Sequence, residues 1–255
     1  MALEVRWLGR VPYREAWRLQ HELVAARAEG TIGDQLLLLE HEPVLTLGRH
    51  SDPAHVRATP AELAARGIEL IRVERGGEVT YHGPGQLVAY PIIRLAEREL
   101  LIRPLVRALE GAMIATAESH DVAADRRDGY PGVWCATGTE GPRKLGAIGL
   151  RIERGISYHG IALNVTTRLA DFDLIDPCGM AGAEVTSVAR EAGWPPTQAE
   201  PSTASVEHAA DVFARALAER LGDAAAPARL AEASRPAEAS RPAEAARHPA
   251  GAAAV

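Results

Sequence analysis

Two side chains in this sequence could together perform covalent acyl transfer: the thiol of Cys178 and the amine of Lys144. Lys144 is the single lysine among 28 Lys and Arg residues, and it precedes an apolar stretch typical of a strand. A cysteine thiolate is a strong nucleophile, and a nearby amine can take up the thiol proton or, as an ammonium, stabilise the thiolate. The sequence leaves both roles open for Lys144, and a solvated strand end is the alternative.

The residues around Cys178, in the segment DPCGM, are compatible with a nucleophile. Pro177 fixes φ, and Gly179 leaves room for a substrate carbonyl because it has no Cβ. The amides of residues 178 and 179 could then donate to an oxyanion. A buried, unreactive thiol explains the same residues equally well, because cysteine is often buried. For Cys135, which follows apolar residues in PGVWC, we predict a core position on a strand.

A glycine-rich segment, RGGEVTYHGPGQ at residues 75–86, is the third notable feature. Glycine lets the backbone approach a ligand closely, but these glycines and Pro84 would also form tight turns between strands. Another glycine-containing stretch, GTEGPRK, leads to the lysine but does not match a phosphate loop. Such a loop requires glycine before the lysine and serine or threonine after it. Arg143 and Leu145 occupy those positions, so we expect no nucleotide site there.

Three segments carry a resemblance: in chain order, they are the glycine-rich segment, the strand-like stretch that begins at Lys144, and DPCGM. Together they resemble the octanoyltransferases of lipoate biosynthesis, the LipB-type lipoyl(octanoyl) transferases. The resemblance runs from the first predicted helix to residues 186–188. It implies that Cys178 forms an acyl-thioester and that Lys144 is its catalytic partner. His159 is a possible supporting residue, and a structural role in its YHG turn is the alternative. The substrate contacts that the resemblance implies are Arg75, Gly76, Gly77, Glu78, Val79, Thr80, Tyr81, His82, Ala147, Ile148, Gly149, Gly160, Ile161 and Ala162.

The resemblance also implies a reaction, the transfer of octanoyl from octanoyl-acyl carrier protein to a lysine of lipoyl-carrier domains. This is the first step of endogenous protein lipoylation. The implied acceptors are the lipoyl domains of the E2 subunits of 2-oxoacid dehydrogenases and the H protein of glycine cleavage. We expect no cofactor and no ATP, because a thioester donor is already activated. The main alternative is an ATP-dependent lipoate or biotin protein ligase, which needs no nucleophilic cysteine. A cysteine hydrolase and a non-catalytic carrier-binding protein are further alternatives.

The composition excludes several classes of partner. A net charge of −6 over 255 residues offers no basic surface for nucleic acid. No apolar run approaches the length of a membrane span, and the N-terminus lacks the apolar region of a secretion signal. Two cysteines do not form a disulfide framework, and no ligand spacing indicates a metal site. We therefore expect a cytoplasmic protein without a metal.

The elements that must position these residues are runs of strands between a few helices. Helical patterns follow Pro12 and span residues 104–117 and 203–221, and strands are predicted at 35–40, 44–47, 68–73, 87–93, 133–135, 144–151 and 157–165. This order predicts an α+β fold with a mixed β-sheet and flanking helices. The resemblance implies the biotin/lipoate protein ligase fold.

The predicted catalytic domain covers residues 1–222. Residues 223–255 are rich in Ala, Pro, Glu and Arg, with almost no large apolar side chain. Such a segment cannot bury enough apolar surface to fold, so we predict a disordered tail.

Overall fold

A computed structural model describes residues 2–137, 141–176, 184–195, 201–223 and 231–232. This part of the chain forms two β-sheets and five α-helices. The strands are β1 (Glu4–Val11), β2 (Gln35–His41), β3 (Val44–Leu47), β4 (Glu69–Arg72), β5 (Thr80–His82), β6 (Gln86–Ile92), β7 (Asp125–Arg127), β8 (Tyr130–Thr137), β9 (Gly141–Glu153), β10 (Ile156–Asn164) and β11 (Ala231–Glu232). The helices are α1 (Tyr13–Glu29), α2 (Pro60–Ala65), α3 (Ile102–Glu118), α4 (Val188–Glu191) and α5 (Thr203–Arg220).

The larger sheet has eight strands in the order β11-β1-β2-β6-β10-β9-β8-β7. Strand β1 runs parallel to both β2 and β11, and the other neighbours are antiparallel. The smaller sheet has the order β4-β3-β5. The predicted α+β class with a mixed sheet is therefore confirmed.

Helices cover both faces of the larger sheet. Leu36, Leu38 and Leu87 pack in the main core with apolar residues of α3 and α5. Their neighbours in the strands point the other way, because successive strand residues alternate between faces. On that opposite face, Leu37 and Val88 pack with residues of α1. The sheet thus has an α3/α5 face and an α1 face, and the start of α1 also contacts the smaller sheet.

Several elements were missed by the sequence analysis, and two of them, β1 and α2, have weak apolar patterns. In β1, whose sequence is EVRWLGRV, Trp7 alone is fully buried, because the strand lies near the sheet edge. Helix α2 is only six residues long and is stabilised at its start by a capping box between Thr59 and Glu62. Neither stretch has the periodicity that predicts a long element.

The first residue of the predicted tail contacts the domain. Asp223, predicted to begin the tail, accepts two hydrogen bonds from the Arg98 guanidinium, at 3.1 and 3.0 Å. Further on, Ala231 and Glu232 pair with β1. The rest of the predicted tail lies outside the described residues, so its disorder stays a prediction. Among the described helices, none combines the length and apolar composition that a membrane span requires.

Candidate active site

A cavity of about 60 Å³ opens on the α1 face of the larger sheet, between β9, β10 and the glycine-rich segment. Its lining includes twelve of the fourteen predicted substrate contacts, together with Lys144 and His159. The two exceptions are Gly76 and Tyr81. Tyr81 belongs to a separate apolar core, where its hydroxyl donates to Asp171 Oδ2 at 3.0 Å. Roles in substrate binding stay predictions, but these residues do meet around one space.

Lys144 lies in β9 with 9% of its surface exposed, and it lines the cavity. Its main chain is hydrogen-bonded on both sides to a distant segment. The amide of Lys144 donates to the carbonyl of Glu184 at 2.8 Å, and the amide of Thr186 donates to the carbonyl of Lys144 at 2.9 Å. Residues 184–186 directly follow the segment that contains Cys178.

Cys178 itself lies outside the described residues, with the rest of 177–183. The chain just before it is also anchored, because the amide of Asp176 donates to the carbonyl of His55 at 2.8 Å. One end of the Cys178 segment is therefore held by His55 and the other by Lys144. Cys135 is buried in β8, where burial raises the pKa of its thiol to about 12. Such a thiol is unreactive, as predicted for this core position.

The glycine-rich segment is fixed by close backbone packing. A Cβ on Gly149 of β9 would lie 2.8 Å from the carbonyl oxygen of Gly76, so only glycine fits at this approach. The buried guanidinium of Arg75 donates to the carbonyl of Thr46 at 2.6 Å and to its Oγ1 at 2.8 Å. Arg75 thereby ties the segment to β3, in addition to lining the cavity.

Neutral rings lie in the cavity wall and directly behind it. His41 donates from Nδ1 to the carbonyl of Val11 at 2.8 Å, so its Nε2 accepts from the Tyr90 hydroxyl at 2.7 Å. Burial lowers the pKa of His41 to about 4. Burial likewise holds the pKa of His82 well below its usual value, and His82 Nδ1 lies 2.8 Å from Gln86 Oε1. Both imidazoles are therefore uncharged at neutral pH.

His159 combines burial with an unusual backbone. Its φ of 52° lies in the left-handed region, which residues other than glycine rarely adopt. Its amide donates to Gln20 Oε1 at 2.7 Å, and its Nε2 lies 3.5 Å from Glu74 Oε1. Burial lowers the pKa of His159, although Glu74 opposes this shift. Backbone strain of this kind often accompanies a functional position, so the supporting role predicted for His159 stays open.

Glu74 is the site residue that the sequence analysis missed most completely. Burial would raise the pKa of its carboxyl, but the nearby His159 imidazole and a hydrogen bond from Trp17 hold this pKa well below its usual value. The indole Nε1 of Trp17 donates to Glu74 at 3.0 Å. Tyr13 and Tyr90, which line the cavity, were missed as well. The two tyrosines lie on elements whose pattern indicated only core packing, and Glu74 lies in a connection after β4, so the sequence offered no signal for them.

The sequences of known proteins align with most of this chain. The model of the lipoyl protein ligase A/B catalytic domain matches residues 12–217. A protein of Chloroflexus aurantiacus named octanoyltransferase is 46% identical over 213 residues, which cover 83% of this chain and 94% of that protein. Another octanoyltransferase, of Acidobacterium capsulatum, is 50% identical over 199 residues, covering 75% and 81%.

Solved structures with the same fold are more distant in sequence. A bi-partite lipoate protein ligase of Thermoplasma acidophilum superposes with a TM-score of 0.59 at 16% identity, covering 88% of this chain and 86% of its own. A lipoate-protein ligase A bound with ATP gives a TM-score of 0.56 at 15% identity, covering 86% of both chains. These likenesses establish the fold alone.

The chain thus belongs to the lipoyl protein ligase A/B catalytic domain family. Within that family it resembles the octanoyltransferases, as the three sequence segments predicted, and it is an acyltransferase.

Proposed function

We propose that this acyltransferase moves an octanoyl group from octanoyl-acyl carrier protein to a lysine of lipoyl-carrier domains, through a thioester on Cys178. The names of the relatives support octanoyl transfer. The proposed acceptors are the lipoyl domains of the E2 subunits of 2-oxoacid dehydrogenases and the H protein of glycine cleavage.

The reaction has two balanced steps. In the first, the Cys178 proton passes to Lys144, the Cys178 thiolate attacks the donor thioester, and the carrier protein leaves as a thiol with the proton that Lys144 returns. In the second, the ε-amine of the acceptor lysine attacks the acyl-enzyme, the Cys178 sulfur leaves, and an amide forms. Lys144 is proposed to take up the proton that the acceptor amine loses. Because the donor is a thioester, we propose that no ATP and no cofactor is consumed.

The placement of Lys144 is the observation that carries this proposal. The other 27 of the 28 basic side chains are arginines, which keep their charge at any working pH. An amine, which can exchange a proton, therefore occurs once, and it lines the cavity. Its main chain contacts the residues that follow the Cys178 segment.

The rest of the cavity wall supports an alkyl substrate. Val79, Ala147 and Ala162 contribute apolar surface, and the nearby histidines His41 and His82 are uncharged. An acyl chain that covers this apolar part of the wall therefore buries no charge there, and burying an unpaired charge would be costly.

Intact mass spectrometry after mixing the protein with octanoyl-acyl carrier protein tests this proposal. The wild type should gain one octanoyl group on Cys178 and pass it to a lipoyl domain without ATP or Mg²⁺. Cys178→Ala should gain none, whereas the matched control Cys135→Ala should be acylated like the wild type. A strict requirement for ATP with free octanoate as the donor would instead establish the ATP-dependent ligase. An adduct on Cys135 would reject Cys178 as the nucleophile.

A further inference from the structure

A β-bulge directs Lys144 toward the cavity. In the pairing of β8 with β9, Val133 lies opposite Gly146 but Trp134 lies opposite Lys144. Leu145 is therefore an extra residue in β9, which is how a bulge is defined. Leu145 belongs to the main core on the α3/α5 face.

The residue after Leu145 faces the same side. A Cβ on Gly146 would lie 2.7 Å from Met113 Sδ, in helix α3. Consecutive residues of a regular strand point to opposite faces, so this pair interrupts the alternation of β9. Without the interruption, Lys144 would point with Gly146 into the core beneath α3. With it, Lys144 lies on the cavity side of the sheet.

The partner of Lys144 across the strands is an aromatic ring. The Nζ of Lys144 lies 5.1 Å from the centroid of the Trp134 ring, within the range of a cation–π interaction. Trp134 is 3% exposed, and its Nε1 donates to the carbonyl of Tyr130 at 3.1 Å, which fixes the plane of the indole. A Cβ on Gly132 would lie 3.3 Å from Lys144 Cε, so glycine leaves room for the lysine stem.

A second cation, the guanidinium of Arg127 in the edge strand β7, contacts the same Trp134 ring. The guanidinium carbon of Arg127 lies 5.1 Å from the Trp134 ring and 4.2 Å from the Tyr130 ring. Tyr130 and Trp134 also contact each other edge to face, with centroids 6.1 Å apart. The hairpin of β7 and β8 thus holds the indole against Lys144.

We propose that Trp134 is a positioning residue for Lys144. The bulge at Leu145 brings the lysine to the cavity side, and the face of the indole holds its Nζ there. This placement is independent of any reaction, whereas its effect on turnover rests on the proposed function of Lys144.

Because the chain has a single lysine, the side chain of Lys144 can be observed directly. Protein grown with ¹³C-lysine should show one set of lysine side-chain NMR signals. The ring current of Trp134 should displace the Hε signals from the positions of a free lysine. We expect Trp134→Leu to remove this displacement and Trp134→Phe, which keeps a smaller ring, to reduce it.

A matched control separates positioning from simple packing. Val133 is the neighbour of Trp134 in β8, but it points into the α3/α5 core and is fully buried. Val133→Ala should lower stability and leave the Hε signals of Lys144 in place. If Trp134→Leu has the same Hε signals as the wild type, the proposal is wrong. If Trp134→Leu does not fold, Trp134→Phe is tested instead. Hε signals identical to those of the wild type in that variant would then show that the proposal is wrong.

Steady-state octanoyl transfer provides the second readout. Trp134→Leu should lower kcat by roughly 10-fold with KM changed by less than about 2-fold, and Trp134→Phe should retain most of the rate. Val133→Ala should keep the kcat of the wild type when corrected for folded protein. A folded Trp134→Leu variant with wild-type kcat would contradict the positioning role. Absence of octanoyl transfer in the wild type would reject the proposed function, while the NMR result would still test the placement of Lys144.

Discussion

Two buried polar clusters in this protein differ in how completely their groups are paired. The first, the Asp34 cluster, comprises Arg27, Asp34, Glu97, Arg98 and Asp223. Asp34 accepts hydrogen bonds from Arg27 Nε at 2.8 Å, from a main-chain amide at 3.0 Å, and from Arg98 Nε. Arg98 also donates twice to Asp223, and Arg27 donates to Glu97. Each charge therefore has an opposite charge in contact.

The second, the cavity cluster, comprises His41, His82, Tyr90 and His159. Its members are neutral rings, and some of their polar atoms lack partners. Within the described residues, Nδ1 of His159 has no hydrogen-bond partner, and its Nε2 approaches Glu74 only to 3.5 Å. Buried polar groups in this condition reduce stability.

The comparison indicates a division of tasks. The Asp34 cluster joins the last turn of α1, the start of β2, the connection from β6 to α3, and Asp223, three residues after the end of α5. Because its charges are paired, it can hold these elements together without an uncompensated buried charge. Three members of the cavity cluster, His82, Tyr90 and His159, line the cavity in which we propose that the substrate binds. Changes in the first cluster should affect stability, and changes at the cavity should affect activity.

The largest effect is expected at the cavity, for Lys144→Ala. We expect acylation of Cys178 to slow by ~10²–10⁴-fold, the range for a positioned base, with little change in the free energy of unfolding. Quenched-flow mass spectrometry with octanoyl-acyl carrier protein measures this rate. Near-wild-type rates in both acylation and transfer would remove Lys144 from the mechanism.

Lys144→Arg distinguishes the two roles of the amine. Arginine keeps the positive charge but cannot accept a proton at working pH. If Lys144 only stabilises a thiolate, the arginine variant should retain much of the acylation rate. We expect instead that both half-reactions fail, since the acceptor lysine must also lose a proton.

The next largest effect is expected in the Asp34 cluster, for Asp34→Ala. This change leaves Arg27 and Arg98 buried without their shared partner, which typically costs ~3–5 kcal/mol of unfolding free energy. Urea denaturation measures this loss, and the folded fraction should still transfer octanoyl. As a matched control, Glu22→Ala removes an exposed ion pair with Arg18 and should cost less than about 1 kcal/mol. Equal losses for the two variants would contradict the comparison.

The pH dependence of stability should separate the clusters further. Unfolded His41 binds a proton near pH 6.5, whereas in the folded protein burial lowers its pKa to about 4. The unfolded state therefore binds more protons between these values, so stability falls as the pH is lowered from ~6.5 to about 4. His41→Gln should flatten the stability curve in this window, by an amount on the order of 3 kcal/mol at its lower end.

The Asp34 cluster should act in a more acidic window. Burial would raise the pKa of Asp34, but hydrogen bonds from Arg98, Arg94 and Arg27 lower it below the usual value. Its contribution is present above the unfolded value of ~3.9 and is lost as the pH falls through the lowered pKa. Asp34→Ala should therefore flatten the curve below about pH 4 and leave the His41 window unchanged. Urea titrations at a series of pH values measure the effect of each variant. The assignments would be wrong if His41→Gln flattened the curve only in the acidic range assigned to Asp34 and Asp34→Ala flattened it only in the range assigned to His41.

The smallest effects are expected at the end of the domain. Truncation after Asp223 should leave the thermal midpoint and turnover nearly unchanged, since it removes only the two-residue pairing of β11 from the described fold. In the full chain, Asp223→Ala should cost ~1–3 kcal/mol, because Arg98 loses two hydrogen bonds. A large loss on truncation would mean that the tail packs or docks.

The sequence predicted the fold class well because the central strands are strongly apolar. Strand β2, with the residues QLLLLEH, is buried along its whole length, so its pattern shows clearly. Lys144 stood out because lysine occurs once, and the glycine-rich segment because four glycines fall within residues 75–86; both contribute to one cavity, and their roles stay predictions. Cys178, identified in the same way, stays a prediction.

The bulge in β9 is visible in the sequence as a change in the spacing of apolar residues, which the regular alternation of a strand does not explain. Leu145 lies at an odd position and Ile148, Leu150 and Ile152 at even positions, yet all pack against one core. This change of phase is the signal of an extra residue in β9. The Asp34 cluster left no such trace, because Arg27, Arg98 and Asp223 are far apart in sequence and each resembles an ordinary surface charge.

The single lysine also determines how this protein responds to chemical modification. Reagents that acylate or alkylate ε-amines find one target side chain, and it is largely shielded inside the cavity. Surface coupling through lysine, routine for most proteins, is therefore blocked here, and slow labelling would report how often the cavity opens. Each labelled ε-amine would be a Lys144, so loss of transferase activity should track the labelled fraction one to one.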